Sequence, residues 1–238
     1  MKLCVVIPAY NAARHIEGVL ERVAGLATCG LHEVIVVDDG SRDATAELVR
    51  ARPPAALQVR LLQRTQNGGY GAAMKDGLEA ARASNPDVVA CIHADGQYAP
   101  EALPAMIEQL SLRRLDLLQG SRIAAGTALR GGMPLYKYVG NALLNLLENH
   151  TLGLSLTDYH SGYLVYGPRA LGMPLSNLSD SFDFDLEIIA AARARGFSVG
   201  EAPIPTHYGD EVSHLNPLTY GLRVLRVMWN YKRGRYAA

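Results

Sequence analysis

Residues 33–51 read EVIVVDDGSRDATAELVRA: a β-branched apolar run, an Asp-Asp-Gly turn and a helical pattern in immediate succession. Val and Ile are stiff at their first side-chain torsion and pack well on a pleated surface, so residues 33–37 read as a strand. Aspartate and glycine at 38–40 supply the turn. Ser41 is then placed to cap a helix over 44–51. The same unit recurs along the chain. Strands are expected over 3–7, 59–63, 88–93 and 115–120, with helices over 13–24, 71–83 and 100–112 between them. Asn85-Pro86 closes the third helix, because the residue before a proline leaves the helical region. Strands that are apolar on both faces and alternate with helices predict a parallel sheet covered on both sides.

The second half is less regular. Helices are expected over 134–152, 184–195 and 217–231, and strands over 162–166 and 198–202. The glycine-rich stretch 126–133 reads as a mobile loop. Repeats, low-complexity tracts and linkers are missing, so the 238 residues read as one domain, 1–238.

Lys+Arg and Asp+Glu both number 23, so bulk charge gives no support to nucleic-acid binding. The three cysteines follow no metal or disulfide spacing, which fits a reducing cytoplasm. The N-terminus lacks signal-peptide character, and no apolar run reaches the ~20 residues of a spanning helix. A soluble or peripheral protein is expected. After Glu211 the chain carries Arg223, Arg226, Lys232, Arg233 and Arg235 without an acid, interleaved with Trp229, Tyr231 and Tyr236. Such a helix suits an anionic membrane surface; its own domain or a second subunit, making a homodimer, is the alternative cover.

In open parallel sheets ligands bind beyond the carboxyl ends of the strands. Those ends read Pro8-Ala9-Tyr10-Asn11, Asp38-Asp39-Gly40-Ser41, Asn67-Gly68-Gly69-Tyr70-Gly71, His93-Ala94-Asp95-Gly96-Gln97 and Ser121-Arg122. No Gly-x-Gly-x-x-Gly follows the first strand and no Walker sequence occurs, which weakens dinucleotide and P-loop readings.

VVIPAYN, VIVVDDGSRDAT, NGGYGAAMKDGL and HADGQYAPE, followed by SRIAAGT, TDYHSGYLVY, FDFDLEIIAAARARG and VGEAPI, carry a resemblance over nearly the whole chain. The order and spacing resemble family 2 glycosyltransferases, most closely the catalytic domains of polyprenyl-phosphate mannosyl- and glucosyltransferases. The resemblance implies an α/β, Rossmann-like three-layer sandwich of the GT-A fold. Residues 1–122 would form its nucleotide-binding half and 123–238 its acceptor-side half.

It also implies roles. Asp39 would accept hydrogen bonds from the base or ribose of a nucleotide-diphosphate sugar; a carboxylate only accepts, and those groups offer donors. Pro8, Tyr10, Val37, Gly69, His93 and Ala94 would line the nucleotide pocket. Asp95 would hold Mg2+ or Mn2+ against the diphosphate, whose growing negative charge a hard cation offsets. Gln97, Arg122 and Lys137 would meet the donor phosphates and sugar. Asp158 would stand beside the donor sugar and Asp185 on the acceptor side, the two carboxylates of the catalytic site, with Asp185 placed to take the proton of a hydroxyl acceptor. At spacing i, i+2 on a helix, Asp185 and Glu187 do not share a face, and the family pattern favours Asp185. The acceptor would be a lipid phosphate or a glycan hydroxyl in cell-envelope synthesis. His207, Ser213 and His214 would belong to a lid over the phosphates.

Two positions depart from the pattern. His93 stands where the family usually has Asp, and Ala12 where it commonly has Glu. These departures are the support for a non-catalytic sugar-nucleotide binding protein. A nucleotidyltransferase would need a basic triphosphate loop after the first strand, where PAYNAAR offers only Arg14.

Overall fold

The structure is a computed structural model that describes residues 1–51, 53–55, 57–126, 133–205 and 217–237. The expected lid residues His207, Ser213 and His214, the centre of the expected glycine-rich loop and the side chain of Lys137 lie outside the described residues.

Seven strands make one sheet: β1 (Leu3–Ala9), β2 (Leu31–Asp38), β3 (Val59–Gln63), β4 (Val88–Cys91), β5 (Leu117–Ser121), β6 (Leu164–Tyr166) and β7 (Val199–Pro203). Their spatial order is β3-β2-β1-β4-β6-β5-β7. The helices are α1 (Ile16–Ala24), α2 (Thr45–Ala51), α3 (Tyr70–Arg82), α4 (Leu103–Leu112), α5 (Leu135–Leu152), α6 (Pro168–Leu171), α7 (Phe184–Ala194) and α8 (Pro217–Lys232).

Alternation along each strand sorts side chains into two cores. On one face Cys4, Val6, Ile35, Val37, Val89 and Cys91 meet Met74 and Leu78 of α3, Ile188 of α7 and Val227 of α8. On the other, Leu3, Val5, Ile7, Val34, Val36 and Ala90 meet Ile16 and Leu20 of α1 and Met106 and Leu110 of α4. Burial on both faces is why these strands read as continuous apolar runs.

The sheet is mainly, not wholly, parallel. β6 runs antiparallel to both neighbours, pairing Val89 with Tyr166 and Leu118 with Val165. Six strands therefore end at one edge, and β6 begins there, bringing residues 157–163 to the same edge.

Smaller differences have local causes. β4 stops at Cys91, so His93 stands beyond the ladder. The expected helix 100–112 opens as a 3-10 turn, Pro100–Ala102, before α4. Ser41 does not cap α2. The Asp43 carboxylate accepts the Thr45 N–H at 3.0 Å, while the Ser41 hydroxyl accepts the N–H of Asn11 at 2.9 Å and ties the first two strand-end loops together. Asn85 takes φ +47°, outside the right-handed helical region that the following proline disfavours.

Candidate active site

The loop after β2 is held from within. Asp39 is buried, and its two carboxylate oxygens accept the backbone N–H groups of Gly68 and Gly69 at 2.9 Å each. The Arg64 guanidinium lies 2.9 Å from the same carboxylate. Gly69 has φ +99°, and a Cβ there would collide with the carbonyl oxygen of Asp180, so the approach requires glycine. Asp39 thus fixes the Asn67-Gly68-Gly69 loop against the sheet edge. Between that loop and the first strand end lies a cavity of about 480 Å³, lined by Tyr10, Gly40, Arg42, Arg64 and Asn67 among others. Tyr10 is 47% exposed on its lip.

Val37 and Ala94, expected as nucleotide contacts, are core residues. Val37 is fully buried, and a Cβ on Gly77 of α3 would lie 3.1 Å from its methyl group; Ala94 packs in the opposite core. Main-chain contact is what these two positions can offer. Pro8 is half-buried at the end of β1.

Asp95 sits on the turn after β4. One oxygen accepts the N–H of Gln97 at 3.0 Å, which holds the carboxylate and places Gln97 beside it. His93, two residues earlier, turns inward. Its ring packs edge-on to Tyr70 and Tyr98 and lies against Gly162, where any Cβ would strike it. Burial pushes the imidazole below its usual range, with Arg122 adding to the effect and Asp95 opposing it.

His93 Nε2 lies 3.2 Å from the Tyr70 hydroxyl, and that hydroxyl donates to Asp185 Oδ2 at 2.9 Å. A phenol has one proton. If it goes to Asp185, His93 must donate through Nε2–H, so the chain runs His93 to Tyr70 to Asp185. Burial raises the Asp185 carboxyl to about 7, and the Tyr70 bond holds it down against that rise. Its other oxygen is buried without a hydrogen bond among the described residues. Glu187 turns elsewhere, accepting the Ser179 N–H and, at 2.6 Å, the Tyr236 hydroxyl. Of the two acids only Asp185 joins the Tyr70–His93 group, as their spacing predicts.

Arg122 and Asp158 meet each other. Arg122 donates Nε at 2.7 Å and Nη2 at 2.9 Å to the two oxygens of Asp158, which is wholly buried. The Arg122 and His160 backbone N–H groups also donate to Asp158, both at 3.2 Å. Asp158 therefore orients Arg122. Behind this pair His160 Nδ1 lies 2.9 Å from the Tyr220 hydroxyl of α8, and Nε2 lies 3.4 Å from Glu148 of α5. Burial raises Glu148 to about 8 and lowers His160 to about 4, so both are neutral at pH 7.

A family model for glycosyl transferase family 2 matches residues 4–171. The chain belongs to glycosyl transferase family 2. Among relatives of this glycosyltransferase, a polyprenol monophosphomannose synthase of Mycolicibacterium smegmatis is 32% identical over 84% of this chain and 75% of its own length. A UDP-N-acetylglucosamine–dolichyl-phosphate N-acetylglucosaminyltransferase of Methanococcus voltae is 29% identical over 86% and 85%. A crystal structure of glucosyl-3-phosphoglycerate synthase from Mycobacterium tuberculosis superposes with TM-score 0.70 over 97% of this chain and 80% of that one, at 19% identity. The same enzyme crystallised with Mn2+, UDP and glucosyl-3-phosphoglycerate gives 0.67 over 98% and 79%, at 18% identity. The glycosyltransferase has the GT-A fold.

Asp95 offers one hard carboxylate, the kind of ligand that a divalent ion shared with a bound phosphate would take. Among the described residues no three His, Cys, Asp or Glu side chains gather into a cage. A hard carboxylate on an open turn, completed by phosphate oxygens, suits Mg2+ or Mn2+, which take oxygen ligands. His93 belongs to a different group, since its Nε2 is engaged by Tyr70.

Sequence reading of this glycosyltransferase missed Arg64, Tyr70, Glu148 and His160. The first two had a signal: Arg64 is the first residue after β3, and Tyr70 lies between the two glycines of the loop. Glu148 and His160 had none, because their partners lie 12 or more residues away on other elements.

Proposed function

We propose that this glycosyltransferase moves a hexose from a nucleoside-diphosphate sugar to the phosphate of a polyprenyl lipid, with inversion at the anomeric carbon. The observation that carries the reading is the tip of β4. Asp95 is held there by the Gln97 N–H, on the sheet edge that also carries the Arg122–Asp158 pair and Asp185. The names of the relatives support the lipid-phosphate acceptor, and the Mn2+ and UDP held by a protein of the same fold support the donor class.

In this reading the base and ribose occupy the cavity after β1–β3, with the base stacked on Tyr10 and the ribose near the Asp39-anchored glycine loop. Arg122, held rigid by Asp158, meets the phosphates with Gln97 and Lys137. A bound Mg2+ or Mn2+ at Asp95 supplies Lewis-acid stabilisation of the departing diphosphate. The acceptor phosphate is already anionic at neutral pH and requires no base. A hydroxyl acceptor is the second reading, and one observation favours it: a carboxyl raised to about 7 is matched to proton removal near neutrality.

The test has two arms. Asp95→Ala should lower turnover at least ~100-fold, the scale of losing an aligned charge stabiliser. It should also abolish the Mn2+-dependent part of nucleoside-diphosphate binding in calorimetry; an unaffected variant overturns the metal assignment. Asp185→Asn separates the acceptors. Near-full turnover with unchanged donor affinity supports the phosphate, and a large loss of turnover alone supports a hydroxyl.

A further inference from the structure

Helix α5 is apolar on its outer side as well as on the side that meets the core. Its polar residues face inward: Asn145 and Glu148 are buried, and Asn149 bonds Leu156 and the Tyr159 hydroxyl. Leu144 and Leu147 pack partly, and Leu152 fully, against the core, but a second set of apolar residues faces outward. Leu135, Tyr136, Val139, Leu143 and Leu146 are all exposed, Leu146 by 71%. At 100° per residue these positions fall on one side of the helix, and the other exposed residues there are Ala142 and His150. That outer side carries no Asp, Glu, Lys or Arg. An exposed leucine alone needs no account, but a continuous apolar face over buried polar groups marks a surface that is covered in use.

The neighbouring helix supplies the rest. α8 packs against α5 and buries Val224, Val227 and Met228 in the core. It exposes Leu222, Leu225 and Trp229, flanked by exposed Arg226, Lys232 and Arg233. The sequence after Glu211 holds no acid. Apolar residues bordered by cations, with a tryptophan among them, match a surface that lies in the headgroup layer of an anionic bilayer. A two-fold contact between copies would set the same cations of α8 against each other.

We propose that the outer faces of α5 and α8 form one docking surface for an anionic lipid bilayer. The inference deepens the polyprenyl-phosphate reading: a lipid whose phosphate must reach the strand tips is met at its own membrane. Tyr220 of α8 bonds His160, which neighbours Asp158 and so the Arg122 pair. The docking surface and the donor side of the site are thus joined through few bonds.

Sedimentation with phosphatidylcholine vesicles, with and without phosphatidylglycerol, tests it on the full chain. The protein should bind the anionic vesicles, less so as salt rises, and bind phosphatidylcholine weakly. Leu143→Glu with Leu146→Glu should cut vesicle binding about tenfold or more while leaving melting temperature and UDP affinity unchanged; Trp229→Ala should give a smaller loss. Absence of vesicle binding overturns the surface. So does light scattering that gives a dimer which the double variant splits, with vesicles ignored. Transfer to a short-chain, water-soluble polyprenyl phosphate keeps the two readings apart: a protein that transfers but never binds vesicles loses only the docking surface. One that binds vesicles but never transfers loses only the acceptor reading.

Discussion

Two groups in this molecule each bring together a tyrosine, a histidine and a buried carboxyl, and they behave differently. Tyr70, His93 and Asp185 form a continuous hydrogen-bonded chain, 3.2 Å then 2.9 Å, ending in a carboxyl that titrates near neutrality. Tyr220, His160 and Glu148 have one good bond, 2.9 Å, and one long contact, 3.4 Å, to a carboxyl that stays protonated to about pH 8. Arg122 depresses both histidines. The contrast lies in what reaches the acid. Tyr70 donates to Asp185 and supports its charge, whereas Glu148 has no hydrogen bond among the described residues, and burial together with the nearby Asp158 carboxylate raises it. The first group is equipped for proton chemistry at the sheet edge; the second ties α8 to the loop carrying Asp158 through the Tyr220–His160 bond.

The severest way to break the comparison is to remove the charge both groups share. Arg122→Met keeps the aliphatic stem but leaves the Asp158 carboxylate buried and unpaired, which should cost about 3–5 kcal/mol in denaturant unfolding. Both histidines should then titrate higher by NMR, since each loses the cation that lowers it. A loss below ~1 kcal/mol would mean that the pair is not their common support.

A gentler change separates the groups. Tyr70→Phe deletes the donor that holds Asp185 down, so its carboxyl should climb by about one unit, the equivalent of ~1.4 kcal/mol for a hydrogen bond to a charged group. Tyr220→Phe should leave Asp185 where it is. Carbon-13 titration of the carboxyl reads this directly and needs no substrate. Equal shifts in the two variants would dissolve the distinction.

The fold was legible where its signals are local. Residues 59–63 were read to the residue, and the helices over 134–152 and 217–231 to within one, because period and turn chemistry live in neighbouring residues. The direction of β6 was hidden, since three apolar residues pair equally well either way until their neighbours are known. Of the site, the strand ends were legible and the pairings were not. Arg122 and Asp158 each read as donor contacts, yet they find each other across 36 positions. Amphipathicity announced α5 as a helix without saying which face turns inward. Asn145 and Glu148 are buried while Leu143 and Leu146 are exposed, so polar and apolar residues occupy both sides.

The smallest effect isolates the second group by pH. Glu148 is raised from 4.5 to about 8, so between those values the folded chain holds a proton that the unfolded chain has lost, and stability falls as pH rises. Asp185, raised from 3.8 to about 7, acts in the same direction but is spent near pH 7. His160, lowered from 6.5 to about 4, has the opposite sign and acts only below 6.5, where the unfolded chain takes up a proton and the folded one does not. From pH 7 to 8 Glu148 is therefore the dominant slope, about 1.4 kcal/mol per pH unit at most. Glu148→Gln keeps the shape and neutral state of the side chain and should flatten urea-unfolding stability over that unit, leaving the decline below pH 7 due to Asp185 in place. A slope that survives the substitution would show Glu148 already ionised in the folded chain. The difference between the two groups would then vanish.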